Sequence, residues 1–143
     1  MTVGLARWLI DDCLPREGYA DLDILHTSDL SRVPGPAGLR EAHNLDRTLV
    51  TCVEGFRGPS GSELNHPGVV VFESIPANGA EVARNLRHLE FRISQYEGNL
   101  VLVNNRFFVR SDKELFIILA DGTELELEPW REVRMHRVHE VAV

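Results

Sequence analysis

The segment Val69-Val70-Val71-Phe72, opened by Pro67-Gly68, constrains the fold more than any other stretch of this chain. Its four apolar residues do not alternate with polar ones, so a strand made from them must be covered on both faces. Such a strand belongs inside a sheet. Thr48-Leu49-Val50-Thr51 is a second short run of this kind, and Ala6-Arg7-Trp8-Leu9-Ile10, which stops at Asp11-Asp12, is a third. Leu22-Asp23-Ile24-Leu25-His26 reads as a further strand. A helix is expected from about Ala37 to Leu45 and another from about Asn78 to Gln95, where Val82, Leu86, Leu89 and Ile93 line one face. The short segment from Pro15 to Asp21 holds Gly18 and has room for a turn or two of helix. Strands alternating with helices at this spacing predict a parallel sheet covered on both faces.

The last third has a different character. Leu100-Val101-Leu102-Val103, Phe107-Phe108-Val109-Arg110 and Leu115-Phe116-Ile117-Ile118-Leu119 read as strands without helices between them. Asp121-Gly122 between apolar runs is a strong hairpin signal. Beyond it Glu124, Glu126 and Glu128 alternate with Leu125 and Leu127, giving one wet face and one packed face. The locally basic tail from Trp130 to His139 is a poor amphipathic strand, suited to pairing with a partner or a second copy, or simply to fraying.

At 143 residues the chain fits one domain with a proper core. Its net charge of −7 argues against coating nucleic acid by bulk electrostatics, although a local basic patch can still hold phosphates. No apolar stretch approaches the ~20 residues that span a bilayer, and no basic-plus-apolar leader is legible, so the expected localisation is cytoplasmic with no membrane partner. Two cysteines, Cys13 and Cys52, are too few for a disulfide framework, and reduced thiols are the expected state.

The adjacent carboxylates Asp11 and Asp12 follow a buried run and precede Cys13-Leu14-Pro15. At the C-terminal edge of an open α/β sheet, two carboxylates repel each other unless a cation, a basic group or water separates them. The alternative is an exposed turn in which aspartate accepts backbone N–H bonds. Cys13 and Cys52 each follow a strand end on that edge; with Asp11, Asp12 and His26 they would offer a mixed site for a softer metal, or else be two small buried hydrophobes. His66 before Pro67 reads as a loop histidine bonded to backbone rather than a general base. Arg84, Arg87 and Arg92 with Arg106 and Arg110 form either a phosphate-binding stripe or a solvated, ion-paired face. Neither a nucleophile elbow nor a phosphate loop is legible.

Four stretches in order resemble the small bacterial PIN-like domains of toxin–antitoxin pairs. They are Leu9-Ile10-Asp11-Asp12-Cys13-Leu14-Pro15, His26-Thr27-Ser28-Asp29-Leu30, Arg47-Thr48-Leu49-Val50-Thr51 with Phe56, and His66-Pro67-Gly68-Val69-Val70-Val71-Phe72. The resemblance covers about Ala6 to Arg110. It implies an α/β, three-layer PIN-like sandwich over residues 1–110 with a mainly parallel central sheet, followed by a C-terminal antiparallel β-hairpin extension over 111–143 packed on the same domain. It also implies a metal-dependent endoribonuclease lineage in which carboxylates at one sheet edge hold Mg²⁺ or Mn²⁺ and activate water.

On that resemblance Asp11 and Asp12 are the metal ligands, Glu54 joins them as the third catalytic residue, and Arg106 and Arg110 hold phosphate or RNA. The pattern that normally follows the Leu-Val-Thr strand carries two aspartates. Here Val53 and Gly55 stand in their places, and Gly35 replaces an acidic residue after Pro34. The site is therefore degenerate. It implies impaired or lost catalysis, or a non-catalytic module of the same fold that binds RNA or an antitoxin-like protein; a homodimer is a further expected assembly.

Overall fold

In a computed structural model of the chain, residues 6–19, 21–30, 42, 44–53, 66–96, 100–111 and 113–127 are described. They form seven strands: β1 (Arg7–Ile10), β2 (Asp23–His26), β3 (Thr48–Thr51), β4 (Val69–Phe72), β5 (Arg106–Ser111), β6 (Glu114–Ile118) and β7 (Glu124–Leu127). All seven join one sheet in the order β2-β1-β3-β4-β5-β6-β7. The first five run parallel to their neighbours, in registers such as Ile10 opposite His26 and Val50 opposite Val70. β6 and β7 are antiparallel additions, with Phe108 opposite Phe116 and Ile118 opposite Glu124.

Burial explains the strand sequences. β3 and β4 are covered on both faces, as their unbroken apolar runs require. One face carries Trp8, Ile10, Val50, Val70, Phe72, Phe107 and Ile117, on which helix α1 (Gly79–Gln95) sets Val82, Leu86 and Leu89. The opposite face carries Leu9, Leu49, Val69, Val71, Phe108 and Phe116, with Ala42 packed against them. α1 starts where Asn78 accepts the Glu81 backbone N–H at 2.9 Å, while the Glu81 carboxylate reaches back to the Ala77 N–H at 3.2 Å. Both contacts satisfy donors at a helix start that have no intrahelical partner. Gly79, the first helical residue, must be glycine: a Cβ there would lie 1.9 Å from the Glu17 carbonyl oxygen. The 15–19 turn and the start of α1 thus touch backbone to backbone.

The expected three-layer PIN-like sandwich with a mainly parallel sheet is not what forms. Among the described residues the architecture is a mixed seven-stranded sheet with one fully described α-helix, predominantly β. Two local causes stand out. Between Pro15 and Tyr19 the chain is irregular, with a bend at Glu17 rather than helix, and Gly18 takes φ +105°, a left-handed conformation no right-handed helix admits. Past β5 the chain returns by hairpins, so the sheet ends in antiparallel pairs. Residue 110, the boundary implied for the PIN-like domain, lies inside β5.

Leu100–Val103 is not a strand either. Leu100 is buried but Val101 and Val103 are exposed, and the segment is held as a turn by Asn105, whose side-chain amide donates to the Val101 carbonyl at 2.7 Å. Asn104, at φ 64°, accepts the His66 N–H through its side chain. Most of the expected Ala37–Leu45 helix and the whole basic tail fall outside the described residues. No helix among the described residues is long and apolar enough to cross a membrane.

Candidate functional site at the carboxyl edge of β1 and β3

The chain leaves β1 to build β2 on one side, then crosses back to build β3 on the other. β1 is therefore where the strand order reverses, and in open sheets of parallel strands the crevice beyond the carboxyl ends at such a point is the usual ligand site. The residues delivered there are Asp11 and Asp12 after β1, Thr27 after β2, and Thr51 and Cys52 at the end of β3.

Asp11 is buried, 3% exposed, and its carboxylate is already engaged. Oδ2 accepts the Thr51 hydroxyl at 2.7 Å. Oδ1 accepts the Asp12 backbone N–H at 2.8 Å and lies 3.4 Å from the Thr27 hydroxyl. Thr27 donates its shorter bond, 2.8 Å, to Asp12 Oδ1. Asp12 itself is exposed. Both carboxylates thus meet the Thr27 hydroxyl, and hydroxyls tie the strand ends, with Asp11 as the buried acceptor and Asp12 as the exposed one.

A basic element flanks the pair. Arg16 bonds Asp29 at 2.8 Å and also donates to Ser28, all three on the surface. The bond to Asp29 and its charge raise the Arg16 pKa further, and Arg16 in turn holds Asp29 below the usual carboxylate range. His26, edge-on to the Tyr19 ring at 5.7 Å, is shifted down, first by burial and then by the Arg16 charge.

Cys13 and Cys52 meet at this edge and are joined as a disulfide, with Cα atoms 6.3 Å apart. The expectation of two reduced thiols is corrected accordingly. The Cys52 backbone N–H points at Cys13 Sγ, 3.1 Å away, and Thr51 Oγ1 lies 3.7 Å from the same sulfur. A mixed metal site on these cysteines with Asp11, Asp12 and His26 is not assembled: no metal-suited cluster of His, Cys, Asp and Glu occurs among the described residues.

Arg106 and Arg110 lie elsewhere. Glu54 falls outside the described residues. Arg106 opens β5 at the opposite, amino edge of the sheet, is 7% exposed, and has its pKa lowered by burial. Arg110 lies towards the carboxyl edge, but β5 is three strands from β1, about 14 Å at ~4.8 Å per strand. Its guanidinium covers the Phe116 ring and pairs with Glu126 at 3.2 Å. The two arginines share a face yet sit at its two ends. His66 is also at the amino edge, where Nδ1 accepts the Gly68 N–H at 3.0 Å, the loop-histidine reading.

Thr27 and Thr51 are the residues that sequence reasoning undervalued. The available signal was a hydroxyl residue at the end of a strand bordering the one that delivers the carboxylate. No family model, curated protein or solved structure matches the chain. The resemblance to PIN-like domains accordingly rests on sequence motifs alone.

Hard cations need carboxylate oxygens with lone pairs turned outwards. Of the two carboxylates here, Asp11 is buried with donors on both oxygens, and Asp12 shares Thr27 with it. The described residues of this edge fit Mg²⁺ or Mn²⁺ poorly.

Proposed function

We propose that this chain is a catalytically impaired relative of metal-dependent endoribonucleases, retained as a binding module whose ligand docks at the Asp11–Asp12 edge. The observation that carries this reading is the commitment of the Asp11 carboxylate to Thr51, Thr27 and the Asp12 amide in a buried position. A nuclease carboxylate must offer lone pairs to a metal, and here three of the roughly four acceptor positions of Asp11 are taken by contacts that hold strand ends together. Val53 and Gly55, where the PIN-like pattern carries aspartates, support the same conclusion.

The ligand is read as a cationic segment of a protein partner, antitoxin-like in kind, rather than RNA. Asp12 presents exposed negative charge, Arg16 is neutralised by Asp29, and the chain carries −7 overall. Phosphates would meet repulsion at this edge, and Arg106 is too far away to offset it. A second reading, a working Mg²⁺- or Mn²⁺-dependent endoribonuclease using Asp11, Asp12 and Glu54, is favoured by one observation: two adjacent aspartates stand at the point of strand reversal.

Incubating a mixed single-stranded RNA pool with the full chain and Mg²⁺, Mn²⁺ or EDTA separates the two. The expected result is the same intact RNA in every lane. Metal-dependent cutting that disappears in the Asp11→Asn/Asp12→Asn variant would overturn the binding-module reading.

A further inference from the structure

We infer that Cys13 and Cys52 are a reversible dithiol–disulfide pair, opened by low-molecular-weight thiols and closed by low-molecular-weight disulfides, that sets how rigidly the acidic edge is held. The placement carries the inference. Cys13 stands two residues after Asp11, and Cys52 directly follows Thr51, so the S–S bond runs beside the Thr51–Asp11 hydrogen bond and ties the same two strand ends. Both cysteines are only partly buried, packed on the margin of the core rather than inside it, so a small thiol can reach the bond.

Two further contacts do not depend on the covalent bond. The Cys52 N–H at 3.1 Å and Thr51 Oγ1 at 3.7 Å both address Cys13 Sγ, and a thiol sulfur accepts or donates in the same places. The site therefore keeps the sulfurs near one another when reduced, a condition for closing again without refolding. A Cα separation of 6.3 Å lies within the span a disulfide requires.

The chemistry is ordinary thiol–disulfide exchange. The thiolate of a small thiol RSH attacks one Sγ. The Sγ–Sγ bond breaks, and the other sulfur leaves with the electron pair and takes a proton. A second RSH attacks the mixed disulfide and releases RSSR. Two RSH are oxidised for one protein disulfide reduced to two thiols, and RSSR runs the sequence backwards. Opening removes the covalent tie between residues 11–14 and 51–53, leaving the Asp11 hydrogen bonds and the weaker contacts to Cys13 Sγ to hold the edge. None of this depends on what the acidic edge binds.

The test equilibrates the full chain in glutathione buffers of graded reduced-to-oxidised ratio, traps free thiols by alkylation, and counts them by mass. Amide hydrogen exchange is followed in the same samples. The expected result is reversible interconversion of zero and two trapped thiols with helix content unchanged. On reduction, amide protection is lost around residues 11–14 and 51–53, where Asp11 N–H bonds the Val50 carbonyl and Leu14 N–H the Asp11 carbonyl, and is retained in β4 and β5. A disulfide that resists reduced glutathione until the protein unfolds would overturn the inference. So would formation of mixed disulfides only, or identical exchange in the oxidised and reduced wild-type forms. The Cys13→Ser/Cys52→Ser variant, if folded, should show the reduced exchange pattern in every buffer; a pattern that still follows the buffer would also count against it.

Discussion

Replacing Thr51 by valine isolates the contact on which the reading of the acidic edge depends. The side chain is fully buried, and valine has nearly the same shape, so the change removes a hydroxyl without opening a cavity. That hydroxyl donates to Asp11 Oδ2 at 2.7 Å and accepts the Val53 backbone N–H at 3.1 Å. A hydrogen bond to a charged group contributes about 1.5–3 kcal/mol, and a stranded amide adds about 1 kcal/mol where water cannot replace its partner. Asp11 keeps the Asp12 amide and the longer Thr27 contact, so its desolvation is only partly exposed. The expected loss is about 3 kcal/mol. Thr48 supplies the control: it lies in the same strand, is also buried, and donates to the neutral Pro67 carbonyl at 3.0 Å. Thr48→Val should cost about 1 kcal/mol. Urea unfolding with the disulfide intact reads both as shifts in midpoint at constant slope. Equal losses in the two variants, or a smaller one for Thr51→Val, would refute the claim that the Asp11 carboxylate is held by this hydroxyl.

Three other outcomes follow from the geometry. Gly79→Ala puts a methyl 1.9 Å from the Glu17 carbonyl oxygen, so the turn and the helix start must part, at about 3 kcal/mol or more, and urea unfolding will show it. Reducing the Cys13–Cys52 bond, which closes a loop of sequence separation 39, should lower unfolding free energy by up to about 4 kcal/mol in the chain-entropy model, read as the urea midpoint with and without reductant. Burial pushes the Tyr19 hydroxyl up to about 12, above its ordinary value of about 10. Since the folded pKa is the higher one, stability is intact below pH ~10 and is lost as pH rises towards ~12. Tyr19→Phe should flatten that alkaline loss, and a Tyr96→Phe background makes the Tyr19 ultraviolet titration readable alone.

Local pattern carried the strands well and the connections poorly. The unbroken apolar runs at Leu49–Val50 and Val69–Phe72 announce double-sided burial because no alternation is available to them, and both strands are central in the sheet. Asp121-Gly122 announces its turn because the pairing across it is local. Leu100–Val103 looks like a strand by composition, yet the side chains of Asn104 and Asn105 form hydrogen bonds that turn the backbone instead. Hydroxyl and amide groups that compete with backbone pairing leave little trace in apolar periodicity. The 15–19 segment has room for a turn or two of helix by its length, but Gly18 takes a left-handed conformation and packs on Gly79, a contact between residues far apart in sequence.

Asp11 was placed at the sheet edge by the end of its apolar run, and Cys13 beside Cys52 by the same reasoning. What the sequence could not specify was orientation. Whether a carboxylate turns towards a ligand or towards a neighbouring hydroxyl depends on strand register, here Ile10 beside Val50 and His26, and register is a property of the assembled sheet.

Calorimetric titration of the oxidised full chain with Mn²⁺, run beside Asp11→Asn/Asp12→Asn, addresses the central claim most directly. If Asp11 is committed to its hydroxyl and amide donors, the two proteins should give the same weak, unsaturable heats. Saturable Mn²⁺ binding by the wild-type chain that vanishes in the variant would mean that the edge turns its carboxylates to a metal, and the binding-module account would fall.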